Sequence, residues 1–274
     1  MNVMPQHGHN ICLFISSSDN TLDILRQVIR SFDLCWTDCP FEKFVGLNSI
    51  VDESLVSGFH PVSAPVSGWR MEVLEQILQL PAQFDHILLF LDDFLILSPV
   101  DTERLQKLLD KALRCEIEYF RLIPIRRAAI PRIARRTLRG SSQEMEPVEV
   151  QSPYYSSLQV ALWKRSHLID MLKLDGKHIW DFEYQEIPGH PHFAIVGNPP
   201  IKYIHVVEKG KWQPYSRKFF RKLNLPFDPG DRIVSGRQAY LVLWLNSIKF
   251  EIVGYSAMRL KRYFRQKWAG TRSE

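Results

Sequence analysis

Two adjacent carboxylates, Asp92 and Asp93, end an apolar run and offer the clearest sign of chemistry in this chain. The run from Ile87 to Leu91 predicts a strand that is buried on both faces. Two acids at the end of such a strand are costly without a partner. A divalent cation such as Mg²⁺ or Mn²⁺, bound beside a phosphate, would supply one because these ions prefer oxygen ligands. The structural alternative is that one acid caps the next turn or pairs with an arginine.

The elements before this pair alternate between strands and helices. Residues 11–16 and Phe44 to Leu47 predict strands, and residues 51–68 have a loop-like composition. Apolar residues at helical spacing predict one helix from Leu22 and a second over Trp69 to Leu80. The expected apolar face of the second helix carries Val73, Leu74, Ile77 and Leu78.

The same alternation continues after the acid pair. Asp101 or Thr102 is expected to cap a helix, and Glu118 to Ile125 predicts a strand. A strand or turn over Tyr154 to Ala161, a short helix near Ser166 to Leu172 and a late strand over Ile201 to Val207 follow. Strands and helices in this order predict a mostly parallel sheet flanked by helices, with ligands at the carboxyl ends of the strands.

Length and composition limit the class of protein. The 274 residues with 45% hydrophobic content fit one large α/β domain and exclude a disordered chain. Four cysteines without a second close pair favour reduced thiols over a zinc site. We expect a cytoplasmic location, since no secretory signal and no apolar stretch of about 20 residues is seen.

The net charge of +5 indicates contact with an anionic partner. Six arginines crowd residues 126–139, and the segment 236–274 mixes cations with aromatic residues. Nucleic acid is not expected, because no recognised nucleic-acid motif accompanies them. The tail composition suits a helix on an anionic membrane surface, and an ordinary surface helix is the alternative.

Several short motifs occur together in a fixed order. They are Ser16-Ser17-Ser18-Asp19, Trp69-Arg70, Leu91-Asp92-Asp93-Phe94, Leu158-Gln159-Val160-Ala161-Leu162-Trp163, Trp180-Asp181-Phe182-Glu183 and Tyr203-Ile204-His205-Val206. Over residues 10–215 this order resembles the bacterial GT-A fold glycosyltransferases that build surface polysaccharides. The resemblance implies a GT-A domain over residues 1–235, a nucleotide-sugar donor and a glycan acceptor that is lipid-linked.

The resemblance also implies a metal site. Such enzymes hold Mn²⁺ or Mg²⁺ with an Asp-x-Asp motif, and here Leu91 replaces the first acid. Asp93 matches the direct metal ligand, and Asp92 would contact the ribose or the donor sugar. His205 matches a histidine that these enzymes supply to the metal, although a lone histidine in a strand is often a hydrogen-bonded core residue.

Donor contacts are implied at Ser16, Asp19, Trp69 and Arg70. Ser16 ends the first strand and Asp19 follows it, where the nucleotide binds in such enzymes, and Asp19 is alternatively a helix N-cap near Leu22. Trp69 and Arg70 would stack on the nucleotide and neutralise its charge. The alternatives are core packing for Trp69 and a solvated helix position for Arg70.

Glu183 is the expected general base of an inverting transfer, with Asp181 in reserve. The alternative for Glu183 is a structural pair with an arginine. His190 and His192 are expected in a loop near the site. The rival enzyme hypothesis is a metal-dependent nuclease or phosphoesterase that uses Asp92, Asp93 and Glu183, and the non-enzymatic one is a basic membrane- or nucleic-acid-binding module.

Overall fold

The computed structural model describes residues 10–49, 56–66, 68–125, 144–150, 155–176, 179–183 and 185–236. In chain order the strands are β1 (Ile11–Ser16), β2 (Glu42–Leu47), β3 (His60–Ser63), β4 (His86–Leu91), β5 (Phe94–Ile96), β6 (Tyr119–Arg121), β7 (Met145–Pro147), β8 (Ala161–Lys164), β9 (His192–Ile195), β10 (Tyr203–His205), β11 (Val207–Glu208) and β12 (Lys211–Trp212). The helices are α1 (Leu22–Cys35), α2 (Trp69–Gln79), α3 (Thr102–Arg114), α4 (Arg165–Lys173), α5 (Ile179–Phe182) and α6 (Ser216–Lys222).

The centre of the fold is an eight-stranded sheet in the order β3-β2-β1-β4-β8-β6-β9-β7. Strands β1 to β4 pair in parallel, and β6 pairs in parallel with β9. Strand β8 runs antiparallel to both β4 and β6, and β7 runs antiparallel to β9. The predicted α/β class, with a mostly parallel central sheet flanked by helices, is confirmed.

Strand β4 is buried on both faces, as its apolar run predicts. Leu88 and Phe90 face one core with α1 and α3, and Ile87 and Leu89 face the other with α2 and α4. Side chains alternate between the two faces of a strand, so a continuous apolar run is needed when helices cover both. The acids that follow Leu91 therefore emerge at the carboxyl edge of the sheet.

Helix α3 begins as the sequence predicts. Asp101 is the N-cap, and its carboxylate accepts a hydrogen bond from the backbone of Arg104 at 3.1 Å. The four expected apolar positions of this helix are buried: Leu105, Leu108, Leu109 and Ala112.

Other predicted elements differ from the structure. Strand β3 lies inside the loop-like stretch and pairs only with β2, and such edge strands tolerate the Pro61 found there. Leu78 is 50% exposed, because α2 buries a narrower face than its apolar residues suggest. Strand β6 ends at Arg121, short of the predicted Ile125. Of the two alternatives for the segment that ends at Ala161, the turn is correct for its described residues 155–160, and β8 begins at Ala161.

A separate two-stranded sheet accompanies the main sheet. Strand β5 follows the acid pair and pairs antiparallel with β10. Farther on, the Arg232 guanidinium forms an ion pair with Asp23 of α1 at 2.6 Å, which holds residues up to this point against the domain. Within the described residues, no helix combines the length and the apolar character needed to cross a bilayer.

Candidate functional site

The acid pair forms the two-residue turn between β4 and β5. Leu91, just before it, pairs with Ser16 at the end of β1, so both strand ends share one edge. The Asp92 carboxylate accepts a hydrogen bond from Ser17 Oγ at 2.8 Å. Burial raises the pKa of Asp92 to about 6, although hydrogen bonds from Thr21 and Ser17 favour its ionised form. Asp92 is thus a carboxyl group that can change charge near neutral pH.

Asp93 is held by the pairing of β5 with β10. His205 lies opposite Phe94 in that pairing, and the backbone carbonyl of Asp93 accepts from the Val206 amide at 2.9 Å. This brings His205 Nδ1 to 3.3 Å from Asp93 Oδ2. The other carboxylate oxygen, Oδ1, is buried and has no hydrogen-bond partner in the part of the chain that the structure describes. Asp93 therefore presents one anchored and one unused oxygen.

Both ring nitrogens of His205 have partners. Tyr203 donates its hydroxyl proton to Gln159 Oε1 at 2.7 Å, so Gln159 Nε2 points to His205 Nε2 at 3.0 Å. Burial lowers the pKa of His205, but the hydrogen bond and charge of Asp93 outweigh it and the pKa lies above its usual value. A metal could reach Nε2 only after Gln159 moved away.

Glu183 follows α5 at the same edge and is 5% exposed. Its Oε1 accepts from the Leu158 amide at 3.1 Å, and its Oε2 is buried without a partner among the described residues. Burial raises the pKa of Glu183, while the Leu158 amide, the charge of His205 and Arg121 partly offset this. A buried carboxylate with one unused oxygen and a raised pKa is suited to accept a proton.

Trp69 connects the end of β1 with the segment that carries Glu183. Its indole Nε1 donates to Ser16 Oγ at 3.1 Å. Its ring packs edge-on against Phe182, with the centroids 5.6 Å apart. Ser16 and Trp69 thus lie together at the carboxyl edge.

Asp19 braces the loop that follows β2. Its carboxylate accepts from the backbone amides of Asn48 at 3.0 Å and Ser49 at 3.3 Å. The N-cap of α1 is Thr21, so the alternative that Asp19 caps this helix is wrong. The side chain remains partly exposed at the same edge as Ser16.

Arg70 and Arg165 each bind the end of the other's helix. Arg70, in the first turn of α2, donates to the Met171 carbonyl at 3.3 Å and the Leu174 carbonyl at 2.6 Å, where α4 ends. Arg165, in the first turn of α4, donates to the Ile77 carbonyl at the end of α2 at 2.8 Å. Guanidinium groups suit these positions because the last carbonyls of a helix lack partners within it.

Arg70 also orients the segment that leads to Glu183. Its Nη2 donates to Gln185 Oε1, its guanidinium lies 5.5 Å from the Phe182 ring centroid, and the charge of Asp181 acts on it. The side chain is 9% exposed, so the alternative of a solvated helix position is wrong. Contact with a nucleotide stays a prediction.

His190 and His192 do not lie near this edge. His192 begins β9 and is fully buried, and His190 lies two residues before it at the amino edge of the sheet. The expectation of loop residues is wrong for His192, because the four residues of β9 are too few to be recognised from apolar periodicity. His190 does lie outside any helix or strand, but at the amino edge rather than near the site. The arginine-rich run 126–139 and all but the first residue of the tail 236–274 lie outside the described residues.

Sequence reasoning missed Gln159, Tyr203 and Arg165. Gln159 is a polar residue inside an apolar motif, and this contrast could have identified it as a candidate site residue. Nothing local distinguishes Tyr203 or Arg165, because their partners lie 44 and 88 residues away in the chain.

No protein-family model and no curated protein matches this chain. Among solved structures it is similar to galactosyltransferase LgtC in complex with donor and acceptor sugar analogues, at 11% identity over 80% of this chain and 98% of that one, with a TM-score of 0.42. It is also similar to S. aureus TarS, at 11% identity over 80% of this chain and 41% of that one, with a TM-score of 0.43. The chain spans 57% of the TarS 1–349 structure at a TM-score of 0.39. At these values the likeness carries no argument about the site.

Proposed function

We propose that the protein is a glycosyltransferase that moves a sugar from a nucleotide-sugar donor to a glycan acceptor. The observation that carries the proposal is the pair of buried carboxylate oxygens without a described partner, Asp93 Oδ1 and Glu183 Oε2, at the carboxyl edge of the sheet. Ligands bind at this edge in open α/β sheets. The order of motifs that resembles the GT-A glycosyltransferases supports the same function.

The donor side of the site comprises Ser16, Asp19, Trp69, Arg70 and Asp92. We propose that the exposed parts of Asp19 and Trp69 contact the nucleotide, and that Asp92 contacts the ribose or the donor sugar. Arg70 already donates hydrogen bonds to carbonyl oxygens at the end of α4. It would therefore act on the donor through its charge, at a distance. Its described contacts support a positioning role for the Glu183 segment.

The residues present fit a Mn²⁺ or Mg²⁺ ion at Asp93. Asp93 Oδ1 is a buried carboxylate oxygen without a described partner, and hard cations prefer such ligands. His205 is proposed as a second ligand through Nδ1, which faces Asp93 and would exchange its hydrogen bond to Oδ2 for the ion. When bound, the cation would neutralise charge on the donor diphosphate.

Glu183 is proposed as the general base. The acceptor hydroxyl oxygen attacks the anomeric carbon, Glu183 Oε2 takes its proton, and the bond from the anomeric carbon to the diphosphate oxygen breaks with its electrons on that oxygen. Attack opposite the leaving group inverts the anomeric configuration. Burial raises the pKa of Glu183, which strengthens it as a base at neutral pH. Asp181 is the reserve candidate.

The acceptor is proposed to be a lipid-linked glycan of cell-surface polysaccharide synthesis. The basic and aromatic composition of residues 236–274 supports contact with an anionic membrane surface on the cytoplasmic side. Nucleic acid is not part of the proposal.

Binding of nucleoside diphosphates tests the proposal most directly. We expect the melting temperature of the wild-type protein to rise with at least one of UDP, GDP, CDP or ADP, and to rise further with Mn²⁺, because ligands that bind the native state stabilise it. Asp93→Asn should lose the Mn²⁺-dependent part and lower transfer by about a hundredfold or more. The exposed acid Asp33 on α1 supplies the control variant Asp33→Asn, which should behave as wild type.

Two results would contradict the proposal. One is the absence of any nucleotide-dependent shift in the wild-type protein. The other is an Asp93→Asn variant that keeps both the Mn²⁺-dependent shift and its turnover.

A further inference from the structure

We propose that Glu118, His167 and His190 form a site for a divalent transition metal of the Zn²⁺ class at the amino edge of the sheet. One ligand atom from each residue lies within 4.8 Å of the other two. The residues come from three segments, directly before β6, in the first turn of α4 and directly before β9. The six residues of β4 separate this edge from the acid pair by about 20 Å, at roughly 3.3 Å per residue.

Hydrogen bonds determine which nitrogen of His192 carries a proton. The Tyr155 carbonyl oxygen can only accept, so His192 Nδ1 donates to it across 3.1 Å. His192 Nε2 lies 2.9 Å from His167 Nε2, and one proton must lie between them. If His192 supplied that proton it would carry a positive charge while fully buried, which costs its hydration. His167 therefore supplies the proton.

This assignment leaves His167 Nδ1 with a lone pair. Burial lowers the pKa of His192 to about 3 and that of His167 to about 4, in agreement with two neutral rings. His167 is 2% exposed, and its Nδ1 has no hydrogen-bond partner among the described residues. A buried lone pair without a donor is unfavourable unless a cation binds to it.

The lone pair faces a carboxylate. His167 Nδ1 lies 3.9 Å from Glu118 Oε2, so two acceptors point toward the same space. Lys164 Nζ binds Glu118 at the other oxygen, Oε1, at 3.1 Å, and the charge of Asp170 also acts on His167. Lys164 thus leaves Oε2 to the two histidines. His190 Nδ1 contacts that oxygen and completes a set of two imidazole nitrogens and one carboxylate oxygen.

This ligand set suits Zn²⁺ better than Mg²⁺. Imidazole nitrogens are ligands of Zn²⁺ and its neighbours, and three protein ligands leave a position for water. His190 is 39% exposed and Glu118 18%, which gives an ion access. His167 donates a hydrogen bond from its other ring nitrogen to His192. Metal-bound histidines commonly donate such a hydrogen bond to a residue that does not bind the metal. The rings of His167 and His190 are stacked, with their centroids 5.1 Å apart, so binding requires the His190 ring to turn toward the other two ligands. The ion then replaces the hydrogen bond between His190 and Glu118.

The bound ion would connect α4 to the starts of β6 and β9. The exposed pair of His60 and Glu42, 3.8 Å apart, has the same chemistry but lacks a buried third ligand. His60→Gln is therefore a matched control for His190→Gln. Neither variant changes a fully buried side chain, so both should fold.

Metal titrations of the whole 274-residue chain, without an affinity tag, test the site. Binding of Co²⁺ is followed by its visible absorption, and binding of Zn²⁺ by calorimetry in two buffers. We expect one equivalent bound with nitrogen ligands in the wild-type protein and in His60→Gln. The affinity of His190→Gln should fall by at least about tenfold. His167→Gln should lose binding as well, and His190→Gln decides the question if that buried variant fails to fold.

The site is wrong if the wild-type protein shows no Co²⁺ band of a nitrogen-ligated ion. It is equally wrong if His190→Gln binds Co²⁺ and Zn²⁺ as tightly as His60→Gln does. Asp93→Asn should retain Zn²⁺ binding, which separates this site from the proposed cation at the opposite edge.

Discussion

The two edges of the central sheet each hold an acid next to a histidine, but different atoms lack partners there. At the carboxyl edge His205 has hydrogen-bond partners at both nitrogens, and carboxylate oxygens of Asp93 and Glu183 are unused among the described residues. At the amino edge imidazole nitrogens of described residues lack partners, Nδ1 of His167 among them and Nδ1 of His86 at the start of β4. One edge thus suits a hard cation or a proton, and the other suits a transition metal.

The second contact of each histidine causes this difference. Gln159 can turn its amide to donate to His205, whereas His192 has its own proton committed to a carbonyl and can only accept from His167. The same residue type therefore becomes a satisfied hydrogen-bonding partner in one place and a free ligand in the other. The neighbours of a histidine decide its chemistry as much as its position does.

The acids of the two edges also differ in charge compensation. Burial raises the pKa values of Asp92 and Glu183, whose other contacts offset it only in part. Burial also acts on Glu118, but hydrogen bonds from His190 and Lys164 outweigh it and its pKa lies below the usual value. Uncompensated acids are typical of reaction sites, which favours the carboxyl edge as the place of chemistry.

Glu183→Gln should have the largest effect on this comparison. Glutamine keeps the size of the side chain and can accept the Leu158 hydrogen bond, but it cannot take a proton. Turnover should fall by about 10²–10⁴-fold with donor affinity retained. Turnover of the wild-type protein should rise with pH through a pKa above that of an ordinary glutamate, since burial raises it, and the residual activity of the variant should lack this step.

Steady-state kinetics over a range of pH values measure both effects. If the turnover of Glu183→Gln lies within a few-fold of wild type, Glu183 is not the base and Asp181 is the next candidate. A product that keeps the donor's anomeric configuration would also contradict the role of Glu183 as base.

Arg70→Met and Arg165→Met should have similar effects on stability but different effects on turnover. Each arginine binds carbonyl oxygens at the end of the partner helix, so each variant should lose about 2–4 kcal/mol of unfolding free energy. Only Arg70 also binds Gln185, next to the Glu183 segment. We expect about a tenfold loss of kcat for Arg70→Met, equivalent to about 1.4 kcal/mol, and little change for Arg165→Met.

Denaturant unfolding and initial rates test this pair. A rise in the donor KM of Arg70→Met without a loss of kcat would favour nucleotide contact over positioning. Equal kinetic effects of the two variants would show that helix pairing alone matters.

The sequence predicts the carboxyl edge better than the amino edge for a physical reason. The apolar run of β4 and the acids after it are adjacent in the chain, so local pattern places them correctly. Helix α3 follows from its cap and its apolar spacing in the same way. Short strands such as β9 lack this signal, because four residues show no clear period.

Contacts between distant segments decide the rest of both sites. His205 reaches Asp93 across 112 residues through the pairing of β5 with β10, which no local pattern encodes. His167 and His192 are 25 residues apart and meet only because α4 returns across the sheet before β9 begins. For the same reason Arg70 could not be recognised as a ligand of the end of α4 from its position beside Trp69.

Asp92→Asn should give the smallest of these effects, a pH-dependent gain in unfolding free energy. A gain, rather than a loss, would indicate that the carboxyl edge holds a buried charge without full compensation. Burial raises the pKa of Asp92 in the native state to about 6, so the native state binds its proton more tightly than the unfolded state does. Stability therefore falls as pH rises from about 4 to above 6, and asparagine removes this loss. We expect the variant to gain about 1–3 kcal/mol at pH 7.5 and nothing at pH 4, as denaturant unfolding would measure. Asp33→Asn changes an exposed side chain of α1 and serves as the control. A gain of the same size at both pH values would mean that packing, rather than an uncompensated charge at the carboxyl edge, causes the effect.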